Sequence, residues 1–435
     1  MKLYSTKGIA PEVDLREAVL SGLPPDNGLY MPVSIPVLPA SFLKKLPELS
    51  LVEIGFTICR ELFGGYIEDA ILYDIIQKSM TFPAPLVSVA PDTHILELFH
   101  GPSLAFKDFG ARFMAQLMAY FNKDEEQELL ILVATSGDTG GAVASGFAGV
   151  EGINVCILYP SGKVSALQEK QLTTHGGNIK AIEIAGSFDD CQDLVKAAFL
   201  DQELQERLNL SSANSINIAR LIPQTFYYFE GFKQLTNPNI PVYFSVPSGN
   251  FGNLTAGVFA HRMGLPIAGF LGATNRNDVV PDFLQTGVYQ PRPSVPTLSN
   301  AMDVGNPSNF RRLDDLFCST WNNFKALIHG FSFSDIDTEG EMRRLFFDKQ
   351  YLIDPHGAVA SLAWTAFLDA NMGQTAQGII IETAHPAKFQ EEVERILDQK
   401  IELPTSLEKL KSLKKEAFSM DSSFTEFKEF LLNTY

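Results

Sequence analysis

Residues 129–134 read Leu-Leu-Ile-Leu-Val-Ala, an unbroken apolar run. A strand with one wet face alternates polar and apolar positions. A continuous run of this length is instead a strand covered on both faces, as in a parallel sheet between helix layers. Similar runs recur at 155–159, 179–184, 241–246, 267–271 and 378–381, with helical stretches between them, such as 189–200. This alternation predicts an α/β fold with two open, twisted sheet lobes and a cleft between them. Residues 1–91 read differently. A helix near 15–20 leads to a turn-rich segment at 22–28, a proline-punctuated stretch at 31–39 and more helix over 40–78, and Pro83, Pro85 and Pro91 mark a linker. The expected organisation is a mainly helical N-terminal domain (1–91), a lobe at 92–235 and a lobe at 236–435. The first lobe holds Lys107 and the loop from Ser136 to Thr139. The second holds the loop from Gly249 to Asn253 and helices over 403–435.

Two of these strands run into glycine-rich turns and then helices. The first turn is Thr135-Ser136-Gly137-Asp138-Thr139-Gly140-Gly141, and the second is Pro247-Ser248-Gly249-Asn250-Phe251-Gly252-Asn253. Small residues let several backbone N–H groups point at one anion, and the helix dipole strengthens the pull. Neither turn is a Walker A loop or a dinucleotide fingerprint. Singly, each reads as a tight strand-to-helix turn.

Between linker and first loop, residues 95–99 end a strand and Gly101-Pro102-Ser103 make a turn. Phe106, Phe109, Phe113, Leu117 and Tyr120 then recur at helical spacing. Lys107 lies off this stripe, in the first helical turn. The partial positive charge of a helix N-terminus disfavours an ammonium there. Aromatic neighbours add desolvation, which favours the neutral amine, the form that attacks a carbonyl. Alone, such a lysine reads as a solvated side chain whose stem covers Phe106. Beside two anion-binding turns, it points to a ligand set with a carbonyl, a carboxylate and at least one phosphate.

Two further segments carry weaker signals. Asn214-Ser215-Ile216-Asn217-Ile218-Ala219-Arg220 reads as a helix beginning at Asn214 and Ser215, with Arg220 one to two turns in. Amides, a hydroxyl and a guanidinium would converge there on a phosphate dianion. The strand at 378–381 ends in Glu382-Thr383-Ala384-His385-Pro386-Ala387-Lys388. The Thr383 hydroxyl can hydrogen-bond a pyridine nitrogen without protonating it. His385 has no partner to make it a catalyst.

The net charge of −17 repels phosphate backbones, so nucleic acid is not an expected partner. Cys59, Cys156, Cys191 and Cys318 are scattered without metal-ligand spacing, which predicts no metal and suits a reducing cytoplasm. The N-terminus lacks a signal-peptide core and no apolar run is long enough to span a bilayer, so no membrane partner is expected. The oligomeric state stays open.

Taken together, Asp26-Asn27-Gly28-Leu29-Tyr30 and residues 99–110, 134–140, 214–220, 245–253, 298–304 and 383–389 resemble the pyridoxal-phosphate enzymes of the tryptophan-synthase-β fold type. Within that group they resemble the threonine synthase family. The resemblance implies pyridoxal 5'-phosphate in the cleft, bound to Lys107 as a Schiff base. It implies the cofactor phosphate on Gly249, Asn250, Phe251, Gly252 and Asn253, and the ring nitrogen on Thr383. The substrate carboxylate would lie on Thr135, Ser136, Gly137 and Thr139. The substrate phosphate would lie on Asn214, Ser215 and Arg220, with Asn250 as a further contact. The implied reaction converts O-phospho-L-homoserine and water to L-threonine and phosphate by β,γ-elimination and replacement, with Lys107 as general base. One departure stands out: Asp138 occupies the position where other branches place an asparagine against the cofactor's ring hydroxyl. A carboxylate facing a phenolate repels it, so Asp138 either turns away or shares a proton. Alternatives are a threonine or serine dehydratase or a cysteine synthase, none of which needs a second phosphate site. A phosphate-ester lyase or ligand-binding relative is another, and a flavin or nicotinamide enzyme a third.

Overall fold

The computed structural model describes residues 1–135 and 137–435. It contains the two expected sheets. One has six strands in the spatial order Ile328–Ser332, Ile267–Thr274, Val242–Pro247, Gln377–Glu382, Thr93–Glu97 and Leu86–Ala90. All neighbours are parallel except the last pair. The other has five parallel strands in the order Phe418–Asp421, Ile179–Ala185, Ile153–Pro160, Leu129–Ala134 and Asn209–Ser212. The run is buried from Leu129 to Val133 and half-buried at Ala134, as double-sided cover requires.

Strand membership departs from the expected boundaries in two places. Thr93–Glu97, at the start of the expected first lobe, hydrogen-bonds to Gln377–Glu382 in the sheet of the second. The short strand Phe418–Asp421, where only helices were expected, returns to pair with Ile179–Ala185. Its Phe418 is exposed, so it lacks the buried apolar run that marks the other strands. Each lobe is therefore completed by chain from the other half of the sequence.

The N-terminal residues form the expected helices Leu15–Ser21, Ala40–Lys45, Leu51–Phe63 and Asp69–Ser79. A reciprocal Ser50/Glu53 capping box starts the third of them. They also form a three-stranded antiparallel sheet of Val13–Asp14, Lys2–Ser5 and Tyr30–Pro32, which the sequence reading lacked. Its strands are two to four residues long, too short for a periodic signal.

The helix Lys107–Asn122 carries the predicted stripe. Phe109, Phe113 and Leu117 are fully buried, whereas Phe106 and Tyr120 pack half-buried at its margins. This helix begins where the chain leaves the six-stranded sheet and crosses toward the five-stranded one, so its first turn faces the junction of the two lobes.

Candidate active site

Lys107 is the first residue of its helix. The three residues before it run beside residues 383–385. Phe106 N–H donates to the Thr383 carbonyl at 2.8 Å, and His385 N–H donates to the Leu104 carbonyl at 3.0 Å. Ala105 and Ala384 form a bridge between them. Lys107 and buried Thr383 are thus brought together from distant parts of the chain. His385 caps the short helix Pro386–Phe389, its Nδ1 accepting from Ala387 N–H at 3.1 Å, a structural task.

The Lys107 amine is largely enclosed, its side chain 18% exposed, and Nζ lies 3.9 Å from Asp138 Oδ2. Burial pulls its pKa down. Asp138 opposes that pull, and the positive charges of Lys388 and Arg220 reinforce it.

Asp138 begins the helix Asp138–Phe147 after the strand Leu129–Ala134. Burial works against its charge, yet Lys388 and Lys107 hold its pKa well below the usual carboxylate range. Lys388 Nζ sits 2.9 Å from Asp138 Oδ1, and Gln168 Nε2 donates to the same oxygen at 3.1 Å. Asp138 thus faces Lys107 on one oxygen and Lys388 on the other, and these two positive charges favour its ionised form.

Lys388 was missed as a functional residue from sequence, because a lysine in a short helical turn looks like an ordinary surface residue. Here its side chain is wholly buried, donating also to the Ser103 carbonyl at 2.8 Å and to Gln171 Oε1 at 3.2 Å. Asp108 was missed too. It is fully buried, accepts from Ser103 N–H at 2.8 Å, and is pushed up to about 6 by burial.

In the first loop, the Thr135 hydroxyl oxygen accepts from Gly137 N–H at 3.0 Å and Gly140 N–H at 2.9 Å. Its acceptor capacity shapes the turn, leaving the hydroxyl proton to donate. Gly137 has a φ of 138°, and a Cβ there would stand 2.7 Å from the Gln168 side chain, so the position requires glycine. Thr139 is half-buried in the first turn of the helix. Ser136 lies outside the described residues.

In the second loop, Phe251 adopts the left-handed conformation (φ 58°) and helix Gly252–Arg262 follows at once. A Cβ on Gly249 would stand 2.7 Å from the Met302 Cα. Asn250 is exposed, and its Oδ1 accepts from the Ser308 N–H and hydroxyl. Asn253 Oδ1 accepts from the hydroxyls of Tyr227 at 2.8 Å and Tyr228 at 2.7 Å. Its Nδ2 is buried with no partner among the described residues.

The third segment differs from expectation. The helix is only Ile218–Leu221, and its cap is Asn217 rather than Asn214 or Ser215. Asn217 wins because its Oδ1 caps Ala219 N–H at 2.9 Å while its Nδ2 donates to the Val19 carbonyl at 2.8 Å. Arg220 therefore lies in the first turn, not one to two turns in. It is buried, Nη1 donates to the Ala213 carbonyl at 2.7 Å, and Nε has no partner among the described residues. Burial brings its pKa down to about 10, so it stays charged at neutral pH. Asn214 is exposed and Ser215 half-buried in the turn before it.

The sequence matches the family described as Pyridoxal-phosphate dependent enzyme over residues 92–381. It also matches Threonine synthase N terminus over residues 2–80 and Threonine synthase, C-terminal over residues 357–431. The threonine synthase of Haemophilus influenzae is 46% identical, with each chain covered completely. The chain belongs to the threonine synthase family. A crystal structure of threonine synthase from Escherichia coli superposes with a TM-score of 0.91 at 42% identity, covering both chains fully. A pyridoxal-phosphate-bound threonine synthase from Brucella melitensis gives 0.93 at 34% identity over 100% of this chain and 99% of that one. As a threonine synthase, the chain is a pyridoxal-phosphate-dependent lyase acting on a small molecule. Its residues fit the cofactor: an amine of lowered basicity, a loop too tight for a Cβ at Gly249, and an unmet donor on Asn253. Among the described residues, no helix is long and apolar enough to cross a membrane.

Proposed function

We propose that the substrate is O-phospho-L-homoserine and that the products are L-threonine and inorganic phosphate, with Lys107 as the residue that binds the cofactor and moves protons. The observation that carries this reading is the buried Lys107 amine, flanked by the Asp138–Lys388 pair and within the field of Arg220. When bound, pyridoxal phosphate supplies an electron sink that acidifies the proton beside the substrate amino group. Burial favours the neutral form of Lys107, which serves first as nucleophile and then as general base at Cα and Cβ.

The other residues bind and orient. Gly249, Asn250, Phe251, Gly252 and Asn253 hold the cofactor phosphate at a helix N-terminus, with Asn253 Nδ2 as a side-chain donor. Thr383 would hydrogen-bond the ring nitrogen of the bound cofactor. Asp138, its charge offset by Lys388, would lie near the ring hydroxyl. Thr135, Gly137 and Thr139 receive the substrate carboxylate. Arg220, with Asn214 and Ser215, grips the substrate phosphate and stabilises it as it departs. A dehydratase has no use for that second anion site, and the unmet Nε of Arg220 favours a phosphorylated substrate. The cysteines are free, three of them buried, which supports a cytoplasmic setting. The sheet membership supports an N-terminal unit followed by two lobes that exchange strands.

The test is to measure phosphate and threonine release together from phosphohomoserine, in the parent and in Arg220→Ala. Loss of a charged contact to a dianion is expected to raise KM at least about tenfold and to lower kcat. Normal KM and kcat in that variant reject the substrate assignment.

A further inference from the structure

Arg312 is fully buried in the helix Phe310–Leu316, and no carboxylate pairs with it among the described residues. A guanidinium stripped of water is normally compensated by an anion. Here burial pulls its pKa down to about 9, which leaves it charged at neutral pH. Its hydrogen bonds all go to neutral oxygens. Nε and Nη2 donate to the Tyr30 carbonyl at 3.3 and 3.1 Å, Nη2 to the Ile216 carbonyl at 2.6 Å, and Nη1 to Asn309 Oδ1 at 2.7 Å. The charge is solvated by these groups but not cancelled.

Two of these partners belong to the anion-binding segments or abut them. Ile216 lies between Ser215 and Arg220. Asn309 sits behind the second loop: its N–H donates to the Asn250 carbonyl at 3.3 Å, and neighbouring Ser308 holds the Asn250 side chain. With Oδ1 engaged by Arg312, the Asn309 carboxamide has a fixed orientation. Its Nδ2 is directed at Gly252, 3.3 Å from where a Cβ would stand. That Nδ2 is buried and has no partner among the described residues. A buried donor left unmet is costly, and the first residue of a helix after a glycine turn is where an anion would meet it.

We propose that Arg312 is a positioning residue for both phosphate sites, turning the Asn309 amide into the cofactor-phosphate loop and fixing the Ile216 turn that presents the substrate-phosphate groups. This inference rests on the assignment of the Gly249–Asn253 loop and the 214–220 segment given above. The uncancelled Arg312 charge also favours anions at both phosphate sites, which a purely mechanical strut would not do.

The test uses Asn309→Ala and Arg312→Met in the full chain, with thermal melts to confirm folding. The apoprotein is titrated with pyridoxal phosphate by absorbance, and the holoenzyme is assayed for inhibition by inorganic phosphate. Asn309→Ala is expected to weaken cofactor binding about tenfold, the loss of one charge-assisted hydrogen bond, while phosphate inhibition stays within about twofold. Arg312→Met is expected to weaken both about tenfold or more. Unchanged cofactor affinity in Asn309→Ala overturns the proposal, as does unchanged phosphate inhibition in a folded Arg312→Met protein. If Arg312→Met does not fold, the Asn309→Ala titration decides alone. Should the parent protein release no phosphate from phosphohomoserine, the substrate assignment fails, while the cofactor titration still judges Arg312.

Discussion

Lys388 Nζ lies 2.9 Å from Asp138 Oδ1, joining a residue beyond the end of the six-stranded sheet to the first helical residue after a strand of the five-stranded sheet. The pair sets the electrostatics around Lys107. Asp138 raises the basicity of the amine and Lys388 lowers it, so deleting either one moves Lys107 in opposite directions.

Asp138→Asn is expected to shift the titration of the Lys107 amine to lower pH. Lys388→Met is expected to shift it upward, because the repulsive charge is gone and Asp138 loses its nearest competitor. The measurement is the rate at which borohydride traps pyridoxal on Lys107 in the apoprotein, followed against pH. Shifts of the same sign in the two variants are incompatible with the pairing.

Lys107→Ala should abolish covalent cofactor attachment. Borohydride treatment followed by peptide mass spectrometry should find the cofactor mass on the Lys107 peptide of the parent and on no peptide of the variant. Threonine formation should fall at least about a hundredfold, the usual scale for loss of a general base. Label on another lysine of the parent would refute the role.

Asp108 makes a prediction about stability. Burial raises its pKa from 3.8 to about 6, so the folded chain keeps a proton that the unfolded chain releases. Folding stability therefore falls as pH rises through this window, and the cost is complete above pH 6, about 3 kcal/mol for a two-unit shift. Asp108→Asn keeps an acceptor for Ser103 N–H without the charge. In urea unfolding it should match the parent near pH 4 and exceed it at pH 7. A variant less stable than the parent at pH 7 contradicts this account.

Gly249→Ala should weaken cofactor binding about tenfold or more, because its Cβ would meet the Met302 Cα at 2.7 Å and backbone cannot swing aside like a side chain. The facing turn is itself anchored, with Ala301 N–H donating to His356 Nε2 at 3.2 Å. Titration of the apoprotein with pyridoxal phosphate measures the loss.

The strands at 129–134 and 242–247, the glycine turns after them and Lys107 at a helix start were legible because each carries a local signal: an apolar run, small residues, a periodic stripe. Lys388, Asp108 and Arg312 were not, because their meaning lies in what surrounds them. A buried charge and a solvated one look alike in sequence. The cap of the Arg220 helix was misread because Asn214, Ser215 and Asn217 are all competent caps, and the Val19 carbonyl, far away in the chain, selects Asn217. The strand Phe418–Asp421 escaped notice because an exposed edge strand needs no buried run.

Lys388 and Ser103, which touch just past the paired strands Gln377–Glu382 and Thr93–Glu97, are 285 residues apart in the chain. Closing so long a loop is entropically costly and comes late in folding. The pocket around the reactive amine therefore exists only in the finished molecule, and partly folded forms have nowhere to seat the vitamin. Yellow colour in a refolding sample should then report completion of the whole chain rather than the arrival of either lobe.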